Sequence, residues 1–372
     1  MEKKILQIGN YPPPFCGWSV QTKLLVEEIR RRGYVCDVLN LSANHAKKSP
    51  EYTDVQNGFD YLFKLISFAL RGYHFQVHVN GQSGTGYILA LMAALVGRAA
   101  GRPVALSWRG GLQQKYFPRI RPGWTRWAYQ VLFRLSGQIS CNNQPVRQAI
   151  EQYGVDPEYV AAIPAFSMQH LQFRQEPLSQ VAEAFLSRRW PVFFCNVCFR
   201  PEYQLCVLRK AMKQFRQLHE HAGFVWLGFP FNEQPFVNEF AGCWPAEERQ
   251  SLLLLGNLSH DEFLTLLSRS FAYIRTPVCD GVSSSVLESL ALGVPVIASE
   301  NGHRPDGVLT YRAGDAGDLC AKLKHLVEFY NLIKAKTNLQ GSGDNVSRTV
   351  DWLLDGPVAE EESREESFEH VA

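Results

Sequence analysis

The feature of this sequence that most restricts its fold is an alternation of short apolar runs with longer amphipathic segments, which occurs twice. The first series has strand-like runs at 4–9, 35–41, 76–80, 104–108, 138–141 and 160–164, and the second has them at 192–197, 224–228, 252–256, 272–276, 294–298 and 307–311. Helical patterns lie between most of these runs, at 20–32, 61–71, 87–98, 124–135, 145–153, 203–221, 261–268, 284–292 and 316–330. Strand–helix alternation of this kind predicts an α/β fold of two doubly wound parallel sheets. We expect a ligand cleft at the carboxyl ends of the strands, because such sheets bind ligands there.

A polar stretch between the two series separates the predicted domains. We expect an N-terminal domain over 1–170, a linker over 171–189 and a C-terminal domain over 190–335. A short amphipathic helix within 336–355 is expected to pack back on the N-terminal domain. From residue 355 onwards seven carboxylates accompany a single arginine, so residues 356–372 are predicted to form an acidic disordered tail.

Charge is distributed unevenly along the chain. Residues 61–150 contain eleven Lys and Arg and no Asp or Glu, although the whole chain carries a formal net charge of only +2. Such asymmetry indicates an anionic partner for the basic segment. We weigh an anionic membrane surface or a lipid-diphosphate acceptor, nucleic acid, and a scatter of cations that forms no patch. No nucleic-acid motif accompanies the cations, so we favour the membrane and expect no nucleic acid. The acidic tail is hypothesised to screen the basic segment.

Cysteine usage and the first residues bear on the cellular setting. The nine cysteines have no regular spacing, which argues against a disulfide framework. Cys195 and Cys198 form a C-x-x-C on a strand-like run, so we expect a core strand and no metal site. The chain opens directly on a strand pattern, and its longest apolar stretch, 86–97, is too short to span a bilayer. These patterns favour a cytoplasmic protein, peripheral at the inner face of a membrane.

The most informative segment, 276–299, reads TPVCDGVSSSVLESLALGVPVIAS. It predicts a strand, a loop turning at Gly281 and a helix from Ser284. Free backbone N–H groups and the helix dipole make such a helix N-terminus a site for anions. Asp280 and Glu288 are placed to face one ligand there. The alternative is structural, because Ser285 and Glu288 also fit a capping box and Asp280-Gly281 fits a plain turn.

This segment resembles the donor-binding signature of the family 4 retaining glycosyltransferases, which have the GT-B fold of two facing Rossmann-like domains. The signature stands here as Pro277, Asp280-Gly281-Val282-Ser283, Glu288-Ser289 and the run 291–298. The resemblance implies that Glu288 binds the ribose hydroxyls of a nucleotide. Asp280, where the family has Glu, would contact hydroxyls of the donor sugar. Backbone groups of the donor loop would meet the sugar and diphosphate, namely Gly281, Val282, Ser283, Ser284 and Ser285.

Other segments extend the resemblance. Residues 5–17 are similar to the family's first strand and glycine-containing loop, which implies that Gly17 lies at the donor. Asn257 and Leu258 resemble the loop whose backbone meets the nucleobase. Arg109 lies where relatives carry a His-Gly loop and is a candidate for donor phosphate or acceptor contact, or else belongs to the general basic surface.

The phosphate-binding cations of the family are replaced in this sequence. Its usual Arg and Lys align with Cys198 and Tyr203, and Arg200 is the nearest cation. We expect Arg200 to bind phosphate, with a solvated surface arginine as the alternative. The predicted catalytic set is therefore Asp280, Glu288 and Arg200.

The resemblance implies a metal-independent enzyme without a cofactor. It would move a sugar, with retention of configuration, from a nucleotide-sugar donor to a saccharide or lipid-linked acceptor in cell-surface polysaccharide or glycoconjugate biosynthesis. The alternative is a catalytically silent GT-B protein that binds a nucleotide sugar or a partner. An epimerase of the same fold fits the signature less well.

Overall fold

The computed structural model describes residues 3–13, 15–112, 114–119, 121–229, 233–278, 283–302, 304–337 and 343–356. Two six-stranded sheets form its framework. The first sheet contains β1 (Lys4–Gly9), β2 (Val35–Asn40), β3 (Tyr73–Val79), β4 (Ala105–Trp108), β5 (Gln138–Cys141) and β6 (Val160–Ala162). The second contains β7 (Val192–Asn196), β8 (Gly223–Leu227), β9 (Leu252–Leu254), β10 (Ala272–Arg275), β11 (Val296–Ser299) and β12 (Val308–Tyr311). Each of the twelve strands overlaps a run predicted from the sequence.

The strand orders are β2-β1-β3-β4-β5-β6 and β12-β11-β10-β7-β8-β9. Every described pairing between these strands is parallel. The predicted doubly wound parallel α/β architecture is therefore confirmed. Since parallel strands end at a common edge, polar residues that follow them are brought together there.

Helices cover both faces of each sheet. Those of the first half are α1 (Gly17–Arg31), α2 (Gly58–Leu70), α3 (Gly84–Ala99), α4 (Trp124–Leu135) and α5 (Gln144–Glu151). Those that follow are α6 (Gln180–Arg188), α7 (Leu205–Arg216), α8 (Gln234–Gly242), α9 (Ala246–Arg249), α10 (His260–Ser268), α11 (Ser284–Ala291), α12 (Ala316–Glu328), α13 (Tyr330–Lys336) and α14 (Asn345–Asp355). Among the described residues, short 3-10 turns lie at Pro157–Tyr159, Met168–Leu171 and Pro201–Tyr203.

Helix α14 packs on the first sheet, although it comes last in the described chain. Its Val346, Val350 and Leu353 are buried in one cluster with Leu25 and Ile29 of α1. At its end, the Lys3 ammonium donates hydrogen bonds to the Leu353 and Leu354 carbonyls. Burial of this apolar stripe fixes the last helix against the half of the molecule where the chain began.

The structure differs from the sequence prediction at several helices. Helix α6 lies inside the segment 171–189 that was interpreted as a linker, and its Ala182 is buried in the core of the second sheet. Helices α8 and α13 were not predicted either. Isolated helices of nine and seven residues are marginal in water, so tertiary packing decides their conformation.

Some predictions fall outside the described residues. These are the placements of Asp280, Gly281 and Val282 and the acidic tail beyond Gly356. In the part of the chain that the structure covers, no helix is long and apolar enough to cross a bilayer. The eight described cysteines are all free, and Cys195 is buried in β7 as expected.

Candidate functional site

A cleft of about 300 Å³ lies between the two sheets, and both contribute to its wall. Polar residues at or just beyond strand ends line it on both sides. From the first sheet come Asn80, Arg109 and Asn142, after β3, β4 and β5. From the second come Asn196 and Arg275, the last residues of β7 and β10. The cleft thus occupies the edge where parallel sheets bind ligands.

Two helices from opposite sides begin at this cleft. Gly17 starts α1 and Ser284 starts α11, and neither first turn contains an acidic residue. The two residues are close neighbours: a Cβ added to Gly17 would lie 2.7 Å from Ser284 Oγ. The Ser283 side chain at the start of α11 makes no capping hydrogen bond. Both positive helix ends are therefore directed at one small volume.

Glu288 lies one turn into α11 and faces the cleft. It is 4% exposed, and its Oε1 accepts a hydrogen bond of 2.9 Å from Nε2 of His260, the first residue of α10. The alternative capping box is not formed, since the residue that precedes α11 is Ser283 rather than Ser285. A capping box forms instead at α10, between Ser259 and Glu262. Helix α10 thereby holds His260 against a carboxylate whose remaining oxygen can accept from a ligand.

Arg109 places a cation on the opposite wall. It follows β4 and is partly buried, and its Nη2 has no hydrogen-bond partner among the described residues. Burial lowers the pKa of Arg109 to about 9, which leaves the guanidinium protonated at neutral pH. None of the described carboxylates forms an ion pair with it. A buried cation without a counter-charge is costly unless an anion binds there.

A row of buried polar side chains holds this arginine from behind. Arg109 Nε donates to His78 Nδ1 at 3.2 Å, so the proton of the neutral ring is on Nε2, which donates to Gln7 Oε1 at 2.8 Å. Gln7 Nε2 donates to Gln76 Oε1 at 2.6 Å, and Gln76 Nε2 donates to Ser107 Oγ at 2.8 Å. Burial, reinforced by Arg109, holds the pKa of His78 well below its usual value and keeps the ring neutral. The row crosses three adjacent strands and ends at the cleft.

Gln7 and His78 were not among the site residues predicted from the sequence. Each is flanked by two apolar residues within its strand, and a polar residue at such a position was the available signal. Gly9 makes room for the imidazole, because a Cβ there would lie 2.9 Å from His78 Cδ2.

The predicted phosphate ligand Arg200 does not line the cleft and is exposed. Cys198 and Tyr203, at the positions aligned with the family's cations, do line it. The cation found there is Arg275, which is 9% exposed and lies 5.3 Å from the Tyr203 ring centroid. Arg275 was not predicted as a site residue, because it lies at the end of a strand pattern and was interpreted as part of that strand.

The other predicted residues fall into two groups. Those that line the cleft are Gly17, Arg109, Asn257, Leu258, Ser283, Ser284, Ser285 and Glu288. Asp280, Gly281 and Val282 lie outside the described residues. Among the described residues, no group of three or more His, Cys, Asp or Glu side chains is placed to hold a metal ion.

No family model and no curated protein matches this sequence. Solved structures match it over nearly its whole length at low identity. A putative UDP-N-acetylglucosamine 2-epimerase from Listeria monocytogenes is 15% identical, with a TM-score of 0.67 over 95% of this chain and 96% of that one. Anabaena Alr3699/HepE, in complex with UDP and glucose, is 14% identical, with a TM-score of 0.67 over 95% and 100%. A glycosyltransferase from Rickettsia africae is 12% identical, with a TM-score of 0.66 over 94% and 98%. These likenesses show that the chain has the GT-B fold.

Proposed function

We propose that this protein is a retaining glycosyltransferase that uses a nucleoside diphosphate sugar as donor. The observation that carries the proposal is the pairing of two features in one cleft. The first feature is positive charge, which comes from Arg109 on one wall and from the N-termini of α1 and α11. No described carboxylate forms an ion pair with Arg109. The same cleft contains the buried carboxylate of Glu288, with its hydrogen-bond partner His260. A ligand that satisfies both needs an anionic part and a hydroxyl-rich part in one molecule.

The anionic part fits a diphosphate. Backbone N–H groups at the starts of α1 and α11 bind phosphate oxygens well, because four donors at each helix N-terminus lack intrahelical partners. Arg109 and Arg275 add planar guanidinium groups that suit phosphate geometry. When the bond between sugar and phosphate breaks, negative charge grows on the leaving diphosphate, and these groups stabilise it.

The hydroxyl-rich part fits a ribose. A carboxylate with one oxygen held by His260 keeps its other lone pairs for the two hydroxyls of a ribose, as the resemblance implies for Glu288. Asn257 and Leu258 lie beside it in the cleft wall, where a nucleobase attached to that ribose would be bound. Asp280 remains our candidate for the donor-sugar hydroxyls.

The acceptor side and the cellular setting complete the proposal. We place the acceptor, a saccharide or lipid-linked sugar, against the first sheet, whose residues Asn80 and Asn142 offer side-chain amides to the cleft. The free cysteines suit a reducing cytoplasm. We assign the reaction to assembly of a cell-surface polysaccharide or glycoconjugate. Because arginines and helix ends supply the positive charge, we expect transfer to persist when EDTA removes divalent metal ions.

The experiment is a donor panel followed by a transfer assay. Calorimetry measures binding of UDP, GDP and ADP; UDP comes first because structural neighbours are solved with UDP. Release of the nucleoside diphosphate from the matching sugar nucleotides is then measured with saccharide and lipid-linked acceptors, for the wild type and for Glu288→Gln. The proposal is supported if the wild type binds a donor and transfers its sugar, and if Glu288→Gln transfers the sugar more slowly. Tight binding without turnover of any donor would favour the catalytically silent alternative.

Epimerisation is the second candidate, since several structural neighbours are UDP-N-acetylglucosamine 2-epimerases. Inverting a carbon centre needs a base that removes a proton from carbon and an acid that returns it. Among the described lining residues, Glu288 is the sole carboxylate, and it is bonded to His260. The first sheet's wall offers none, because residues 61–150 lack Asp and Glu. Proton NMR in D2O decides the point: deuterium entering the sugar ring without acceptor would favour the epimerase.

A further inference from the structure

Helix α2 is apolar on the side that faces away from the sheet as well as on the side that packs against it. Phe59, Phe63, Ile66 and Leu70 are between 44% and 87% exposed. Their spacing of four, three and four residues places them on one face of the helix. The opposite side is buried through Tyr61, Leu65, Phe68 and Ala69. An ordinary surface helix would carry polar residues where this exposed stripe lies.

The two neighbouring helices extend the stripe. Helix α3 packs beside α2 and α4 packs beside α3, and all three bury their inner sides in the same core over the first sheet. Ile88 and Leu95 of α3 and Trp124 and Trp127 of α4 are each more than half exposed. We call these four residues, together with Phe59, Phe63, Ile66 and Leu70, the apolar face. An exposed apolar surface of this extent marks an interaction site.

Cations outnumber carboxylates on these three helices and the loops between them. Exposed arginines on or next to the three helices are Arg71, Arg98, Arg121 and Arg134. Asp60 on α2 is bonded to the Lys64 ammonium at 2.8 Å. Beyond it, no Asp or Glu occurs until Glu151. A partner of this surface must therefore accept both apolar side chains and a net positive charge.

We propose that the apolar face docks on an anionic lipid bilayer, with the aromatic and aliphatic side chains in the interfacial region and the arginines at the lipid head groups. Amphipathic surfaces that combine Trp, Phe and Leu with cations bind membranes in this way. A second copy of the chain is disfavoured, because it would bring the same uncompensated cations face to face. Nucleic acid would meet the cations but would leave the apolar residues without a partner.

The membrane test uses the full-length protein and needs no enzyme activity, so it is independent of the proposed transferase function. Flotation measures partitioning onto vesicles of phosphatidylcholine alone and of phosphatidylcholine with phosphatidylglycerol in equal parts. We expect the protein to bind the vesicles that contain phosphatidylglycerol. The double variant Phe63→Ser/Leu70→Ser is expected to lower the partition coefficient about tenfold or more, because two apolar side chains no longer enter the interface.

A matched control comes from the second half of the chain. Leu218→Ser/Phe236→Ser removes the same residue types at positions that are about two thirds exposed, and its partitioning should equal that of the wild type. Arg98→Gln/Arg134→Gln should reduce binding to anionic vesicles and remove most of its salt dependence. Thermal melts establish that all variants are folded.

Three results would overturn the proposal. The first is wild-type protein that does not float with anionic vesicles. The second is a Phe63→Ser/Leu70→Ser variant that floats as well as the Leu218→Ser/Phe236→Ser control. The third is sedimentation showing a wild-type dimer that Phe63→Ser/Leu70→Ser dissociates without changing vesicle binding, which would assign the apolar face to a second copy.

Discussion

Gly17 and Ser284 begin helices that belong to opposite sides of the cleft, and a side chain at Gly17 would collide with Ser284. A Cβ on Gly17 would lie 2.7 Å from Ser284 Oγ and 3.1 Å from Ser284 Cβ. The absence of a side chain at Gly17 therefore sets how closely the two helix N-termini approach. Since both ends supply N–H donors, their separation determines whether one diphosphate can contact both.

The first prediction concerns this contact. Gly17→Ala forces the two helix ends apart by a few tenths of an ångström, and we expect kcat/KM for sugar transfer to fall about tenfold, because small misplacements of a reacting geometry are costly. Ser284→Gly in the same chain removes the opposing side chain and should restore most of the loss. Steady-state kinetics of the single and double variants measure both effects.

Gly58→Ala is the matched control for Gly17→Ala. Gly58 is also the first residue of a helix, and a Cβ there would meet nothing within 4 Å. Its kinetics should equal those of the wild type. A Gly17→Ala variant as active as Gly58→Ala would show that the contact does not limit the approach of the two helices.

The second prediction concerns His260 and Glu288. Glu288→Gln should weaken nucleoside diphosphate binding about tenfold, because a hydrogen bond to a charged group contributes about 1.5–3 kcal/mol. His260→Ala should weaken nucleoside diphosphate binding less, since this change removes the hydrogen-bond partner of Glu288 but leaves the Glu288 carboxylate in place. In the double variant the two losses should be smaller than additive, as expected for groups that act through one bond. Calorimetry on all four proteins measures the coupling.

Glu183→Gln is the control for the Glu288→Gln and His260→Ala variants. Glu183 pairs with Arg269 on the surface and does not line the cleft, so its substitution should leave nucleotide affinity unchanged. Strict additivity of Glu288→Gln and His260→Ala would show that His260 does not position the carboxylate for the ligand.

The third prediction separates phosphate from nucleoside recognition. Arg109→Met keeps the length of the side chain but removes its charge. We expect affinity for the nucleoside diphosphate to fall at least tenfold while affinity for the free nucleoside stays the same, because Nη2 of the guanidinium, which has no partner among the described residues, would bind a phosphate oxygen. Arg98→Met, on the outer side of α3, serves as control. A parallel loss of nucleoside affinity would mean that Arg109 supports the whole cleft instead.

Much of the architecture could be predicted from the sequence. Strand runs are short and rich in β-branched residues, so β1 and β5 were predicted with the bounds they have. The donor-loop pattern also placed Glu288 and the serines at the start of α11 in the cleft. These features are local, since a strand, a turn and a helix start are each encoded within a few neighbouring residues.

The remainder depends on contacts between distant parts of the chain. Arg275 and Tyr203 are far apart in sequence and meet because β10 and β7 are neighbours in the second sheet. His78 contributes to the site because it accepts a hydrogen bond from Arg109, which follows an adjacent strand. The cation at the cleft was therefore assigned to Arg200 by sequence proximity, whereas the fold provides Arg275. The exposed apolar stripe on α2 could not be predicted either, because α2 has apolar residues on both sides and the sequence does not show which side is buried.

The last prediction is a pH dependence of stability that originates at His78. Burial lowers its pKa well below the usual value of about 6.5, so the folded protein keeps this ring neutral while the unfolded chain takes up a proton below that pH. The unfolded state then binds more protons, and stability falls as the pH decreases. Between pH 6.5 and 5 this amounts to at most about 1.6 kcal/mol. His78→Gln removes the titrating ring, so its free energy of unfolding should change less over that interval than that of the wild type.

Denaturant unfolding of both proteins at pH 7, 6 and 5 measures the difference, and other histidines cancel because both chains contain them. His78→Gln keeps an acceptor for Arg109 Nε, whereas His78→Leu leaves that donor and the Gln7 amide oxygen without the partner they have in the fold. We therefore expect His78→Leu to be less stable at every pH and to bind the diphosphate more weakly than His78→Gln. If wild type and His78→Gln lose stability in parallel on acidification, the ring is not held neutral, and the row of side chains behind Arg109 does not fix the position of that cation in the way the hydrogen bonds indicate.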